Sequence, residues 1–558
     1  MRVVIIGGGT AGISAATRLR RLDENIEILV LEQDPELAVS NCGLLHYLSG
    51  EIKDRSELIG TTPEELKRKY NIDARVNAEV EAINREEKSI TIKNRGKEFY
   101  DKLIFTIGAY QLRPDIAGVL SEQVFTIRNL TSIERIKSYI KDMEPRRAII
   151  VGGGYIGTEA AEALCALGIK TAIVEASSHI LPMLDDDMAA EIQNRLRAKG
   201  ISLYLNKRVE AFEERQVKLA DGCKLDYDMA IIATGVKPDL KLSVLSDLEI
   251  GETGGLIVNE YMQTSDKDIY SAGDDIEIID EITKQPVRMS QAGLAVKEAR
   301  IIAEHICGIN HKFRSAIGTS ITELCGYTVA AAGANEAILN RYGIKYQKIH
   351  LHGWNHASYI PGREQMLFKL LFDDNGKILG AQGTGNDGVD KRMDILATAI
   401  KKGIRIGELE ELELCYAPPF GASSDTINNL GSMADNVLNG KIKYAFYPDF
   451  QMTETTSNAM IVDVRQPEAF AEGHLPGAVN IPLEAIRGNL SSFPHDKPII
   501  TYCNRGVRAY QAARILQNRG FDNVYVLSGG RSLYLEISRD QAAQVTMCEE
   551  LRKFKRYN

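Results

Sequence analysis

The chain has 558 residues, too many for one hydrophobic core, so three or four domains are expected. Hydrophobic residues make up 44% and charged residues 26%, and the net charge of −9 argues against non-specific nucleic-acid binding. No apolar run approaches the ~20 residues that span a bilayer, and Met1-Arg2-Val3-Val4-Ile5-Ile6 enters a strand with no signal-peptide layout, so a cytoplasmic protein away from membranes is expected.

In chain order, Val3 to Ile6 is a short β-branched run that leads into Gly7-Gly8-Gly9-Thr10-Ala11-Gly12. A helical stretch (13–22) and a strand (Ile26 to Leu31) ending in Glu32 follow. The pattern returns at 147–175: Ala148 to Val151, then Gly152-Gly153-Gly154-Tyr155-Ile156-Gly157, a helix at 158–168, and a strand ending in Glu175. A lone GxGxxG is weak, but a preceding strand, a following helix and an acid ~20 residues on make it a dinucleotide fingerprint. Gly7, Gly9 and Gly12 with Glu32, and Gly152, Gly154 and Gly157 with Glu175, each meet these conditions. The glycines let the backbone approach a pyrophosphate at a helix N-terminus, and each acid would bind ribose hydroxyls. A carboxylate at Glu175 also repels a 2′-phosphate, favouring NADH over NADPH.

Leu103 to Ala109, through Thr106 and Gly108, reads as a strand returning to the first turn, and Ala230 to Gly235 as its counterpart. Ile269-Tyr270-Ser271-Ala272-Gly273-Asp274 is a further strand ending in a carboxylate, so the second unit is inserted in the first. Beyond about residue 325, mixed strands (348–354, 366–372) and helices (390–402, 424–438) predict an α+β interface domain. Residues 441–457 read as a linker, and Met460 to Arg465 opens another small α/β domain.

The eight cysteines contain no CxxC pair, which fits reduced thiols and predicts neither a disulfide framework nor a metal site. Cys42, in Ser40-Asn41-Cys42-Gly43, stands about thirty residues after the first turn with no second cysteine nearby. A sulfur centre of this kind must cycle with an external partner as a mixed disulfide, a persulfide or a sulfenic acid. A second single cysteine opens the loop Cys503-Asn504-Arg505-Gly506-Val507-Arg508 between a strand (Ile499 to Tyr502) and a helix (509–518). Inward backbone N–H groups, the helix N-terminus and Arg508 are expected to lower the Cys503 pKa and stabilise an anionic persulfide.

Residues 1–440 resemble the pyridine nucleotide-disulfide oxidoreductase superfamily, in its single-cysteine branch of coenzyme A disulfide reductases, NADH oxidases and NADH peroxidases. The resemblance rests on Asn41-Cys42-Gly43-Leu44, Gly154-Tyr155-Ile156-Gly157-Thr158-Glu159 and Val389-Asp390-Lys391-Arg392-Met393-Asp394. Leu45 and His46 depart from the proline and tyrosine usual beside that cysteine. The C-terminal segment resembles a rhodanese through Asp463-Val464-Arg465, Gly473 to Pro482 and the Cys503 loop.

The resemblance implies two Rossmann-like FAD/NAD(P)-binding domains, an α+β dimerisation domain and a C-terminal rhodanese α/β domain. FAD would sit on residues 1–145 and 255–324, with Asp274 near its ribityl-phosphate region, and NADH on 146–254. The dimerisation domain would be 325–440, the linker 441–457 and the rhodanese 458–558. Oxidase and peroxidase relatives carry a histidine in the first turn, where Thr10 stands here. Coenzyme A disulfide reductases instead use two tyrosines reaching the partner subunit's cysteine, matched here by Tyr359 and Tyr416. Arg18, Arg21, Lys69, Ser40 and Asn41 are the candidates to hold coenzyme A. The implied activity is NADH-dependent reduction of coenzyme A persulfide, polysulfide or coenzyme A disulfide by a homodimer, with Cys503 supplying or accepting sulfane sulfur. An NADH oxidase or peroxidase of the same fold, and a redox-sensing flavoprotein with a partner-binding rhodanese domain, remain as alternatives.

Overall fold

The computed structural model describes residues 1–447 and 458–556. The chain divides into two compact units: Met1–Ala176 with 200–202 and 206–316, and Ser177–Lys199 with 203–205 and 317–558.

The first unit holds two parallel sheets whose strands are near-continuous apolar runs, as sheets covered on both faces require. In the first sheet the order is Ile269–Ser271, Lys102–Phe105, Arg2–Ile6, Glu27–Leu31 and Asp73–Arg75, all parallel. The strand at 269–271 returns to this sheet after the intervening segment, so the second nucleotide unit is an insertion, as the sequence predicts. The second sheet sets Val124–Thr126, Met229–Ile232, Arg147–Val151 and Lys170–Val174 in parallel. The helices Thr10–Leu22 and Tyr155–Ala166 begin directly at the two glycine turns.

The second unit contains an antiparallel sheet in the order Thr319–Leu324, Tyr327–Gly333, Ile378–Gly385, Gln365–Phe372 and Gln347–Trp354. The helices Val389–Lys402 and Thr426–Leu438 accompany it. The helix Asp186–Ala198, expected wholly within the second nucleotide unit, belongs here by its polar contacts. Lys369, fully buried, ion-pairs with Asp185, Asp187 and Glu336. Asn194 Nδ2 donates to Glu536 Oε2 at 2.8 Å, and Arg197 Nη1 binds Asp540.

The C-terminal sheet runs Lys443–Ala445, Val524–Leu527, Ile499–Tyr502, Met460–Asp463 and Val479–Asn480, all parallel. This corrects part of the expected linker: residues 443–445 form the edge strand, because Lys443, Tyr444 and Ala445 pair with Tyr525, Val526 and Leu527. Of the rest of that linker, residues 448–457 lie outside the described residues. Among the described residues no helix is long and apolar enough to cross a membrane.

Candidate active site

The two glycine turns share one geometry. Gly7 has φ +102°, and a Cβ there would stand 2.0 Å from the Thr106 carbonyl oxygen. Gly152 has φ +107°, with its Cβ position 2.4 Å from the Ala233 oxygen. Gly12 and Gly157 close each turn, where a Cβ would meet the Gly7 and Gly152 oxygens at 1.9 and 2.0 Å. Gly9 and Gly154 behave oppositely: a Cβ at either meets nothing within 4 Å, so each turn faces open space where a diphosphate fits. Glu32 Oε2 accepts from the Gly8 N–H at 2.7 Å, and Glu175 Oε2 from the Gly153 N–H at 2.6 Å. Each acid is thereby aimed at its own turn, and burial raises the Glu32 carboxyl above its usual range. Thr106 Oγ1 donates to the Ile6 and Gly7 oxygens, tying the returning strand to the first turn. Ile156 and Glu159 lie in the first turns of the second helix, and Gly235 has φ +103° with open space beside it.

Asp274 lies where the sheet strand 269–271 ends, its carboxyl raised by burial. Two acids beside it escape sequence reasoning. Asp275 is fully buried; its Oδ2 accepts from the Gly108 N–H at 3.0 Å, while Oδ1 has no hydrogen-bond partner. Burial holds this carboxyl well above the usual range. Glu298 Oε2 accepts from the Gly273 N–H at 2.8 Å, and burial pushes its pKa up to about 7. The only sequence signal was the adjacency of Asp275 to Asp274. Open cradles at both turns, with the unpartnered buried Asp275 Oδ1 beside the first, fit two dinucleotide cofactors.

Cys42 sits in a 3-10 turn, Asn41–Gly43, that runs on into the helix Leu44–Ser49. Ser40, Asn41 and Cys42 are exposed, while Leu44, Leu45, Tyr47 and Leu48 anchor the helix. A Cβ at Gly43 would stand 2.3 Å from Leu58 Cδ2, so the residue after the sulfur must be small. His46, which departs from the family pattern, points to Glu51, with Nδ1 at 2.6 Å from its carboxylate.

The basic candidates divide. Arg18 is committed to Glu304, which also pairs with Arg300 and His311. Arg20, their neighbour, is buried and donates to the carbonyls of Tyr70, Asp23, Glu24, Ile26 and Asn71, so it clamps loops and meets no ligand. Arg21 is exposed and makes no ion pair or hydrogen bond among the described residues, and Lys69 pairs with Glu65 one turn back at 2.9 Å. In the second unit, the Tyr359 and Tyr416 hydroxyls lie 3.4 Å apart. These rings are 68% and 50% exposed and Phe420 is 71% exposed, an aromatic patch on the surface of this chain. The Tyr416 hydroxyl raises the Tyr359 phenol above its usual range.

Cys503 is buried at the end of the strand Ile499–Tyr502, and its Sγ accepts from the Gly506 N–H at 3.2 Å. Gly506, at φ +108°, turns the chain into the helix Val507–Gln517. Behind the loop, Arg465 grips Asp463 through Nε and Nη2, the latter at 2.7 Å, and donates to Asn504 Oδ1. Gly530 lets its chain approach closely: a Cβ there would stand 2.6 Å from the Cys503 and Asn504 oxygens. Arg508 is half-buried in the first helical turn and makes no ion pair or hydrogen bond among the described residues.

Comparisons with known proteins agree with this arrangement. The family model described as pyridine nucleotide-disulphide oxidoreductase matches residues 1–299, its dimerisation domain matches 320–426, and a rhodanese-like domain matches 451–536. A protein named coenzyme A disulfide reductase in Staphylococcus haemolyticus is 31% identical over 440 residues, 78% of this chain and 99% of that protein. One named NADH oxidase in Methanocaldococcus jannaschii is 32% identical over 451 residues, 79% of this chain and 100% of that protein. The crystal structure of reduced Bacillus anthracis CoADR-RHD is similar with TM-score 0.93 and 38% identity, covering 96% of this chain and 98% of that one. An NAD-dependent persulfide reductase from A. fulgidus follows with TM-score 0.90 and 32% identity, covering 96% and 100%. The chain therefore belongs to the pyridine nucleotide-disulphide oxidoreductase family, with that family's dimerisation domain and a C-terminal rhodanese-like domain.

Proposed function

We propose that this chain reduces coenzyme A persulfide, and coenzyme A disulfide, with electrons from NADH, and that its rhodanese-like domain exchanges the same sulfane sulfur. The observation that carries this is the pairing of two single-cysteine centres: exposed Cys42, a few residues after the Ala38 N–H that donates to the Gly8 oxygen of the first turn, and buried Cys503, whose Sγ accepts from the Gly506 N–H. The persulfide-reductase and coenzyme A disulfide reductase relatives support the substrate class. Free cysteines throughout the described residues suit a reducing cytoplasm.

The net reaction is CoA–S–SH + NADH + H⁺ → CoA–SH + H₂S + NAD⁺. The Cys42 thiolate attacks the sulfur bonded to coenzyme A; the S–S bond breaks, HS⁻ leaves with the electron pair, and a Cys42–S–S–CoA mixed disulfide forms. Gly7, Gly9 and Gly12 would hold a flavin, which when bound would supply the two electrons that reductive release of coenzyme A thiolate from Cys42 requires. Glu32 and Glu175 orient the two nucleotides through their riboses. Tyr359 and Tyr416 act as a pair on the Cys42 site of a second copy, one phenol hydrogen-bonding the other so that a proton is held for the leaving thiolate. Asn41, Ser40, Arg21 and Lys69 are the exposed groups left to receive coenzyme A; Arg18 would have to exchange its Glu304 partner.

Changing both tyrosines to phenylalanine is expected to lower kcat for coenzyme A persulfide about a hundredfold, with flavin reduction by NADH unaltered. Equal kcat in the double variant would remove the tyrosines from the chemistry. Glu175→Gln keeps the oxygen that accepts from Gly153 and removes only the charge. The ratio of kcat/KM for NADH over NADPH should fall about tenfold, and an unchanged ratio would separate Glu175 from cofactor choice.

The NADH oxidase relative favours a second reading, oxygen reduction at Cys42. It leaves the Cys503 loop without a task, and Thr10 stands where oxidases of this family place a histidine.

A further inference from the structure

The strand Gln347–Trp354 of the antiparallel sheet presents alternate residues to the C-terminal domain, as strand geometry dictates. His350 Nδ1 lies 2.9 Å from Ser528 Oγ, and His352 Nε2 lies 2.9 Å from the Gly529 oxygen. Trp354, the only tryptophan in the sequence, is the next residue on that face and reaches the cysteine loop. The Arg505 guanidinium lies 4.3 Å from the centre of its indole, and the Arg363 guanidinium 3.6 Å. Two cations thus share one ring at the Cys503 loop, and neither has a carboxylate or any hydrogen-bond acceptor among the described residues. Arg363 Nε is buried without a partner. Desolvation and the charge of Arg363 depress Arg505, two residues after Cys503 in the same loop, below the usual guanidinium range. Cation–π contact uses the flat face of each guanidinium and leaves the in-plane donors of both free for a bidentate oxyanion.

We propose that Trp354 and Arg363, from the interface sheet, complete the mouth of the Cys503 site with Arg505, binding the oxyanion group of the sulfur carrier that exchanges sulfur with Cys503. This rests on the reading of Cys503 as a sulfur-transfer centre. The Cys503 thiolate attacks the terminal sulfur of R–S–SH; the S–S bond to R breaks, R–S⁻ leaves with the electron pair, and a Cys503–S–SH persulfide forms with no net oxidation. The oxyanion is a phosphate when R is coenzyme A, or the sulfite portion of thiosulfate, where SO₃²⁻ leaves instead.

The test is steady-state sulfur transfer to cyanide by the full-length protein, with coenzyme A persulfide, thiosulfate and the phosphate-free pantetheine persulfide as donors. Arg363→Met keeps the stem against Trp354 and removes the charge; Arg363→Lys restores it, and thermal midpoints check folding of both. The expected result is a KM raised about tenfold for the anionic donors in Arg363→Met, unchanged for pantetheine persulfide, with part of the loss recovered in Arg363→Lys, which restores the charge without the fork. An effect on coenzyme A persulfide alone identifies the phosphate as the bound group, and an effect on both anionic donors identifies any small oxyanion. Unchanged KM for all three donors, or an equal rise with pantetheine persulfide, would overturn the proposal. Full transfer by Cys503→Ser would instead sink the underlying reading of Cys503.

Discussion

Replacing Cys42 with serine is expected to lower NADH-driven reduction of both coenzyme A persulfide and coenzyme A disulfide by more than about a thousandfold. A thiolate is the attacking group, and a serine hydroxyl at the same place neither ionises near neutral pH nor forms a mixed disulfide. The surrounding turn should tolerate the change. Cys42 is exposed, and the hydrophobic anchors Leu44, Leu45 and Leu48 are untouched. The step at the second nucleotide turn does not involve Cys42, so rapid mixing with NADH should still bleach the flavin at the wild-type rate. Cys503→Ser should leave coenzyme A disulfide reduction intact while removing sulfur transfer to cyanide. Persulfide reduction at wild-type rates in Cys42→Ser would mean that the chemistry lies elsewhere.

Lys369→Met is expected to destabilise the second unit by about 3–5 kcal/mol. Three carboxylates converge on this fully buried ammonium, and it supplies the cation their cluster needs. Asp187, between Lys369 and His350, is held well below the usual carboxylate range by those two neighbours against the cost of burial. Desolvation outweighs the same lysine at Asp185 and raises that carboxyl. Without the ammonium, Lys348 at Glu336 and His350 at Asp187 are the ion-pair partners left among the described residues, and burial keeps His350 below its usual range. Thermal unfolding should show a lowered midpoint, and Lys369→Arg should recover part of it. An unchanged midpoint in Lys369→Met would show that the cluster contributes little.

Local patterns were legible. Each glycine turn is written in a dozen consecutive residues, and the isolation of Cys42 is visible by inspection. The return of Ile269–Ser271 to the first sheet followed from its Gly-Asp ending. Features set by distant partners were not. Arg20 stands between the candidates Arg18 and Arg21 in sequence, but loop carbonyls fifty residues away capture it. Residues 443–445 are three residues with a lysine and no usable period, and only pairing with Val524–Leu527 makes them a strand. The segment Ser177–Lys199 follows a nucleotide-binding strand in sequence, yet its acids answer a lysine nearly two hundred residues later. Arg363 and Arg505 meet at Trp354 for the same reason: a strand face, not a motif, brings them together.

The most direct measurement is anaerobic stopped-flow oxidation of NADH by the purified full-length protein with coenzyme A persulfide or coenzyme A disulfide, set against an aerobic run with oxygen alone. Fastest turnover with the persulfide and slow turnover with oxygen is the predicted result. Comparable turnover with oxygen alone would contradict the sulfur-reductase account and put an NADH oxidase in its place.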